Sequence, residues 1–457
     1  MFHFVGQLIF ALLLGIAAVL FGRRIGQIRR NINLGRDIDL TDRKGERWAT
    51  MARVALGQSK MVTRPVAGIM HIVIYVGFIL INIEVLEILA DGLFGTHRVF
   101  APFLGQFYNV LIGTFEWLAL GVLVACVVFL ARRNLLPIAR FRSPEMKGWP
   151  KNDANIILVV EVLLMFAFLS MNAADGIAQQ RILDGAWNHA HHYIDAGAFP
   201  VSQWLFPLYE GLSDAGIVAI ERGAWWFHIV GILSFLVYVP YSKHFHIFLA
   251  FPNTWYSNLD PSGKLDNMAA VKKEVDLMMS GDPFAAPAEP EGDVPTEPAR
   301  FGAKDATDLT WKQLMEAYSC TECGRCTSAC PANATGKLLS PRKIMMDTRD
   351  RIEEVGQAMN AAGGSWGNGD GKTLLGDYIS EEELWACTSC QACVDACPIN
   401  ISPMGIILDM RRSLIMEDSK APEPITAMFN NVENNGAPWA FPAAERGKWT
   451  DELSSES

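Results

Sequence analysis

Five long apolar runs in the first half of the chain restrict that half to helices that cross a membrane. They lie near residues 4–21, 66–90, 108–131, 154–175 and 223–242. A helix of about 20 residues crosses a hydrocarbon core of about 30 Å, and in lipid a helix satisfies its own backbone hydrogen bonds. No small-residue cleavage site follows the first run, so we expect it to remain as an anchor.

The basic residues predict how these helices are oriented. The connecting segments 22–65 and 132–153 are rich in arginine and lysine, whereas 91–107 and 176–222 contain few. Basic connections stay on the cytoplasmic side. We therefore expect the N-terminus outside and the C-terminal half in the cytoplasm, in the inner membrane of a bacterial or archaeal cell.

The second half contains one cysteine pattern twice. Each copy reads C-x2-C-x2-C-x3-C-P, and the two copies comprise Cys320, Cys323, Cys326, Cys330 and Pro331, then Cys387, Cys390, Cys393, Cys397 and Pro398. This is the cysteine run of ferredoxins with two [4Fe–4S] clusters, in which the fourth cysteine binds the other cluster. The alternative is structural zinc, but zinc sites usually pair two C-x2-C knuckles and do not use a third cysteine.

The crossing rule gives a ligand set for each cluster. We predict cluster one on Cys320, Cys323, Cys326 and Cys397, and cluster two on Cys387, Cys390, Cys393 and Cys330. The ninth cysteine, Cys126, lies in an apolar run and is expected to be a small buried hydrophobic residue. The net charge of −10 argues against a nucleic-acid partner.

The predicted fold is all-α and has four parts. They are a five-span membrane domain (1–250), an amphipathic segment with a proline- and acid-rich linker (251–310), a helical two-cluster ferredoxin domain (311–420) and a C-terminal arm (421–457). Start signals for helices surround the cysteine motifs: Ser340-Pro341, the capping box of Ser380 with Glu383, and Ser402-Pro403.

Histidines in the membrane half suggest haem. His71 and His246 lie at the same cytoplasmic depth, and neutral imidazole binds haem iron well. We predict that they ligate one b haem. On one continuous helix His228 and His246 would share a face about 27 Å apart, with His244 on nearly the opposite face.

A second haem would need an outer partner for His228. His97, His189, His191 and His192 lie in the outer connections and are candidates for that partner. The alternative is that His228, with a carboxylate, handles quinone and its protons. The membrane carboxylates Glu84, Glu87, Glu116 and Glu161 are functional candidates because charge in lipid is costly, although each could merely bond a neighbouring helix.

Two resemblances follow from these residues. The stretch from His228 through Pro240-Tyr-Ser-Lys-His-Phe-His246 resembles the fifth helix of the respiratory nitrate reductase gamma subunit, a cytochrome b. The second helix of that family has two histidines ten residues apart. Here His71 is present and Ile81 occupies the other position. The resemblance therefore implies the inner haem and leaves the outer haem open.

The cysteine-rich half resembles the iron–sulfur part of heterodisulfide reductase-like proteins. The runs Cys320-Thr-Glu-Cys-Gly-Arg-Cys and Leu339-Ser-Pro-Arg-Lys-Ile-Met-Met-Asp resemble the membrane-bound electron-transfer-flavoprotein:menaquinone oxidoreductases. Those proteins continue into cysteine-rich CCG domains with a further iron–sulfur centre. The resemblance implies menaquinone or another quinone as substrate, a separate CCG subunit as partner, and an electron-transfer flavoprotein as a candidate donor.

The expected function is a membrane subunit that moves electrons between a cytoplasmic donor and quinone, which makes it an oxidoreductase within a complex. One alternative is a subunit of a heterodisulfide- or sulfur-type reductase, and another is a passive membrane anchor of a dehydrogenase. The aromatic residues Phe429, Trp439, Phe441 and Trp449 follow no periodic pattern. They predict an extended arm that docks on the partner or, alternatively, folds back on the ferredoxin domain.

Overall fold

The structure is a computed structural model that describes residues 2–185, 187, 196–261, 263–265, 267–280, 300–364 and 369–455. Helices dominate, and the described residues contain no β-strand. The all-α prediction is therefore confirmed. The linker of residues 281–299 and the candidate ligands His189, His191 and His192 lie outside the described residues.

Long helices dominate the membrane half. Its α-helices are α1 (Phe2–Ile32), α2 (Lys44–Met51), α3 (Pro65–Phe94), α4 (Ala101–Leu104), α5 (Gln106–Asn134), α6 (Trp149–Leu183), α7 (Phe206–Tyr209), α8 (Asp214–Tyr238) and α9 (His246–Trp255). Five of them, α1, α3, α5, α6 and α8, are long and apolar enough to span a membrane. The five predicted spans are confirmed, and the chain is a multi-pass membrane protein.

The spanning helices pack as a bundle. In it α3 contacts α5, α5 contacts α6, and α6 contacts α8, while α1 packs against both α3 and α8. Small residues allow close approach. A Cβ atom at Gly77 on α3 would lie 2.5 Å from Cγ2 of Val122 on α5. Transmembrane helices commonly use such small residues at their contacts. The aromatic side chains of Phe115 and Phe168 fill the interior and are fully buried.

The helix α8 does not continue to His246. It ends at Tyr238, two short 3-10 turns follow (Val239–Tyr241 and Lys243–Phe245), and α9 begins at His246. Pro240 lacks an N–H group and clashes with a continuing helix. The Asp153 carboxylate fixes the break by accepting hydrogen bonds from the Ser242 hydroxyl (2.7 Å) and the Lys243 amide (3.1 Å). The phase argument for His228, His244 and His246 on one helix was therefore wrong.

The second half contains shorter helices. They are α10 (Ala269–Met279), α11 (Trp311–Ser319), α12 (Arg325–Ala329), α13 (Pro331–Ala334), α14 (Pro341–Ala361), α15 (Glu381–Trp385), α16 (Ala392–Ala396), α17 (Pro403–Arg412), α18 (Glu423–Asn435) and α19 (Lys448–Ser455). We call the described residues between 300 and 420 the C-terminal lobe. Ser340 and Ser402 cap α14 and α17, and Ser380 forms the predicted capping box with Glu383.

The lobe begins to pack before Trp311, the boundary expected from the sequence. The amide of Phe301 donates to Glu417 (2.9 Å), and Ala303 and Leu309 are fully buried in the core of the lobe. The lobe also contacts the end of α1. Asn31 donates to the Tyr318 hydroxyl (3.0 Å), so the lobe is held directly against the bundle.

Gly35 provides a test of this contact, because the chain after α1 pairs with the lobe at Arg36 and Leu309. A Cβ atom at Gly35 would lie 2.6 Å from the backbone nitrogen of Trp311. We expect Gly35→Ala to destabilise the lobe by about 1–3 kcal/mol, the usual cost of overpacking. Thermal unfolding of the purified chain measures this. The control is Gly45→Ala on α2, where a Cβ atom meets nothing; equal unfolding temperatures for the two variants would contradict the expectation.

Candidate functional site

Four cysteines from both motifs line one cavity of the lobe, which we call cavity one. Three come from the first motif, Cys320, Cys323 and Cys326, and the fourth is Cys397 from the second motif. Pro398 also lines cavity one, next to Cys397. The wall is completed by Arg325, Arg342, Met345, Ile399, Ile401 and Pro403, together with Thr321 and Gly324.

Cavity two has the reciprocal composition. Its cysteines are Cys387, Cys390 and Cys393 from the second motif and Cys330 from the first. Helices α12 and α16, which lie within the two motifs, pack side by side. The structure thus brings together the two sets of four that the crossing rule predicted. Among the eight motif cysteines, all of them described, Cys390 alone is exposed.

The two motifs share an unusual backbone. Glu322 and Gly324 have positive φ angles of 54° and 70°, and the matching Ser389 and Gln391 have 56° and 60°. These turns aim an amide at a sulfur in each motif: Glu322 donates to Cys320 Sγ and Ser389 to Cys387 Sγ, both at 3.4 Å. Left-handed residues other than glycine are uncommon, and sequence reasoning missed them. The Cys-Thr-x-Cys spacing, which both motifs share, was the sequence feature that could have indicated these left-handed turns.

Burial governs the thiol chemistry. Desolvation raises the pKa of Cys320 and of Cys393 to about 12, so both thiols are protonated at neutral pH in the metal-free chain. A metal binds the thiolate, so loading either site releases protons. Among the described residues, no three His, Cys, Asp or Glu side chains converge closely enough to hold a single metal ion.

Cavity one lies against the membrane helices. Arg325, in its wall, donates to the carbonyls of Lys60 (2.9 Å) and Met61 (3.2 Å), just before α3. Asn253 on α9 donates to the carbonyl of Ile399 (2.7 Å), another wall residue. These contacts come from the residues just before α3, which contains His71, and from α9, which begins at His246. Cavity one therefore lies against the chain segments next to these two helix starts.

An ion-pair cluster fastens the first motif to the break after α8. Glu322 pairs with Lys243 and, at 2.8 Å, with Arg349. Burial alone would raise the pKa of Glu322, but the charges of Arg349 and Lys243 outweigh it and lower that pKa. The glutamate therefore stays ionised at neutral pH and holds the motif in place. Sequence reasoning missed this cluster because the partners are distant in the chain.

Three histidines gather at this end of the bundle. The ring centres of His71 on α3 and His246 on α9 are 6.4 Å apart, with ring planes 43° apart. His244 lies 5.5 Å from His246 and 5.3 Å from the ring of Phe235. Desolvation lowers the pKa of His246, and lowers that of His244 to about 3, so both imidazoles are neutral.

Hydrogen bonds distinguish the two facing imidazoles. Nδ1 of His246 lies 3.1 Å from the carbonyl oxygen of Lys243. Because a carbonyl only accepts, Nδ1 bears the hydrogen and Nε2 keeps its lone pair. Nδ1 of His71 is buried and has no hydrogen-bond partner among the described residues.

The other sequence-predicted residues lie deeper in the bundle. His228 is buried on α8, and its Nδ1 donates to the Leu164 carbonyl at 3.0 Å. Glu84, Glu87 and Glu116 are buried, whereas Glu161 is half-buried. His97 lies in the connection after α3 and is half-buried. The structure does not bring His228 to the pair formed by His71 and His246.

Three comparisons place these sites among known proteins. Residues 319–401 match the family described as "4Fe-4S dicluster domain". A "Probable iron-sulfur-binding oxidoreductase FadF" of Bacillus subtilis is 27% identical over 99% of this chain and 61% of its own length. An "EtfAB:quinone oxidoreductase" of Syntrophomonas wolfei is 28% identical over 93% of this chain and 56% of its own. No solved structure matches.

A third relative aligns with a shorter part of the chain. It is one of the subunits of the ferredoxin- and F420H2-dependent CoB-CoM heterodisulfide reductase of Methanosarcina acetivorans, 32% identical over 24% of this chain and 53% of its own length. The relatives that align over nearly the whole chain are named as oxidoreductases. In this chain the match to the 4Fe-4S dicluster domain follows five helices that are long and apolar enough to span a membrane. The chain spans about six-tenths of the length of the first two relatives.

Proposed function

We propose that the chain passes electrons between a cytoplasmic donor and the quinone pool through two [4Fe–4S] clusters and haem b, within an electron-transfer-flavoprotein:quinone oxidoreductase type of complex. The observation that supports this most is the position of cavity one. Its wall is hydrogen-bonded to the segment just before α3, which contains His71, and to α9, which begins at His246. The relatives from Bacillus subtilis and Syntrophomonas wolfei, aligned over nearly the whole chain, support the class of complex.

The cysteines of each cavity are the proposed cluster ligands. Cys320, Cys323, Cys326 and Cys397 hold cluster one, and Cys387, Cys390, Cys393 and Cys330 hold cluster two. The clusters supply one-electron chemistry. The chain surrounds them with apolar residues such as Ile401 and Ile407 and directs backbone amides at their sulfur ligands, which tunes redox potential.

The geometry of His71 and His246 supports a b haem between them. With metal–nitrogen bonds of about 2 Å on each side, two imidazoles on one ion have ring centres roughly 6 Å apart. The observed separation is 6.4 Å. The bond from His246 Nδ1 to a backbone carbonyl is the usual way in which a protein orients a ligating imidazole. The unpartnered buried Nδ1 of His71 is also consistent with a group that belongs beside it.

The exposure of the cysteines indicates the order in which electrons reach the two clusters. Cys390 in cavity two is exposed, whereas Cys320 and Cys397 in cavity one are buried near the membrane helices. We therefore assign cavity two to the donor side and cavity one to the membrane side. Burial of Cys320 and Cys397 keeps water from cluster one, which favours transfer into the bundle rather than to solvent.

The quinone site is assigned to the deeper residues. His228, Glu84, Glu87 and Glu161 are the candidates for binding quinone or exchanging its protons. Ile81 is buried where the nitrate reductase gamma family has its second histidine. This favours a quinone or proton role for His228 over ligation of a second haem.

Metal and haem analysis of the purified chain tests the proposal against its rivals. We expect about nine iron atoms per chain, about eight in the two clusters and one in the haem, with about eight acid-labile sulfides and a reduced-minus-oxidised spectrum of the b type. Zinc in place of iron would overturn the cluster assignment. Absence of the b-type spectrum would favour a passive anchor.

Co-purification separates the two types of complex. A flavoprotein and a cysteine-rich CCG iron–sulfur subunit bound to the chain would support our proposal. The relative from Methanosarcina acetivorans, which aligns with 24% of this chain, supports the second candidate, a heterodisulfide-type reductase. Subunits of that reductase in place of a flavoprotein would support the second candidate.

The C-terminal arm offers a further prediction. It was expected to be extended, but it contains α18 and α19, and its aromatic residues are exposed: Phe429, Trp439, Phe441 and Trp449. Deletion of 425–457 should leave both clusters and the haem spectrally intact while the cysteine-rich partner dissociates, because exposed aromatic anchors contribute most of such binding. Pull-down from membranes measures it, with the exposed Lys272→Ala as control; full retention of the partner would refute the docking role.

A further inference from the structure

A buried polar network fills the end of the bundle opposite the C-terminal lobe, which we call the far end. Arg98, after α3, is buried and pairs with Asp175 on α6 (2.6 Å). It also donates to the Tyr108 hydroxyl and to Asn172, both at 3.1 Å. A buried cation is costly unless it is paired and hydrogen-bonded. The structure meets this condition at each of these contacts.

The carboxylates of the network have specific donors. Glu87 accepts from the Tyr108 hydroxyl (2.7 Å) and from the Phe100 amide (2.8 Å). Glu116 accepts from Asn172 (3.2 Å) and from the amides of Val201 (2.8 Å) and Ser202 (3.1 Å). These groups are therefore held in place.

Glu84 is the exception. It lies on α3 one turn before Glu87, and only 4% of it is exposed. Its Oε2 atom has no hydrogen-bond partner among the described residues. The charged groups that act on it most strongly are Arg98 from the connection after α3, Glu87 on its own helix, Glu116 on α5 and Asp175 on α6.

The surrounding charges favour a neutral Glu84. Three of its four charged neighbours are carboxylates, and Arg98, the one cation, is already paired with Asp175. An unpaired buried carboxylate is costly, and such a group becomes neutral by binding a proton. Glu84 also lies about 15 Å from the C-terminal end of α3, at 1.5 Å per residue. It is therefore a protonatable group well inside the bundle.

The nearest carboxylate to Glu84 along its helix is held at the far end. Residues three apart on a helix are neighbours on one face, so Glu84 and Glu87 adjoin. Glu87 bonds to Tyr108, which lies two residues after the start of α5, close to the far end. Tyr108 accepts in turn from Arg98, and a guanidinium keeps its protons, so these bonds fix Glu87 in place and do not conduct a proton.

We propose that Glu84 is a proton-storing site of the bundle and that Glu87, held by Tyr108, is the neighbouring carboxylate that favours the protonated form. The site takes up and releases one proton as the carboxyl and carboxylate forms interconvert, with water as the source and acceptor. Coupling of this site to quinone would rest on the proposed function. The storage site itself rests on the geometry of the far end alone.

Infrared spectroscopy of the oxidised full chain in lipid nanodiscs tests this proposal without donor, quinone or turnover. The stretch of a protonated carboxyl group shifts in D2O. We expect Glu84→Gln to remove one such band, and Glu84→Asp, which keeps the acid, to retain a displaced band. The control Asp214→Asn changes an exposed carboxylate at the same end that pairs with Arg181, and should leave the band unchanged. Intact iron–sulfur absorbance confirms that each variant is folded.

The neighbouring carboxylate has its own measurement. Tyr108→Phe removes only the hydroxyl that donates to Glu87, so the Glu84 band should remain and shift in frequency. A band that survives Glu84→Gln would overturn the storage site. A band at an unchanged frequency in Tyr108→Phe would overturn the role of Glu87. Because the protein stays oxidised throughout, neither failure would bear on the quinone activity.

Discussion

Cys330→Ser should damage the cluster held by Cys387, Cys390 and Cys393 and spare the cluster held by its own neighbours in the sequence. The reason is that Cys330 lines cavity two, whereas Cys320, Cys323 and Cys326 line cavity one. A serine hydroxyl is a harder and less acidic ligand than a thiol. We therefore expect up to about half of the iron to be lost, because each of the two clusters contains four iron atoms.

Electron paramagnetic resonance of the reduced variants distinguishes the clusters. Cys397→Ser should show the reciprocal loss, in cluster one. The control is Cys126→Ser, since Cys126 is buried on α5 and lines neither cavity. Selective loss of cluster one in Cys330→Ser would refute the crossed ligand sets.

The second large effect concerns the haem. His71→Ala and His246→Ala should each abolish the low-spin b spectrum of the purified protein, because each would remove one of the two imidazoles proposed to hold the haem. The ring-centre separation of 6.4 Å is close to what two imidazoles on one metal require. The content of cluster iron and sulfide should stay unchanged, since neither histidine lines a cysteine cavity.

His244→Ala is the matched control. It is a strict control because His244 lies next to His246. His244 lies 5.5 Å from His246 and is also neutral. It packs on Phe235, so its removal should change packing and leave the b spectrum in place. A spectrum that disappears in His244→Ala and persists in His246→Ala would show that the ligand assignment is wrong.

Local patterns accounted for most of what could be predicted. The five apolar runs gave the spans because each run is long enough by itself to fix its structure. The caps at Ser340, Ser380 and Ser402 were readable because a cap depends on residues within one turn. The two cysteine motifs predicted the sets that line the two cavities because their spacing is specific.

Contacts between residues that are distant in the chain could not be predicted from the sequence. The break after Tyr238 depends on Pro240 and also on Asp153, which is distant in the chain. The pairing of Arg98 with Asp175 joins two helix ends, and sequence alone showed each as an isolated charge. The start of the lobe at Phe301 depends on Glu417, more than a hundred residues later.

The exchange of one cysteine between the two cavities has a consequence for maturation. Neither site is complete until α12 and α16 lie side by side, so a nascent chain that has only the first motif cannot bind a stable four-iron group. Once one cluster is inserted, it closes the loop between the motifs and removes chain entropy. The ligands of the second site are then already together. Loading should therefore be cooperative, and molecules with a single cluster should be scarce among newly made protein.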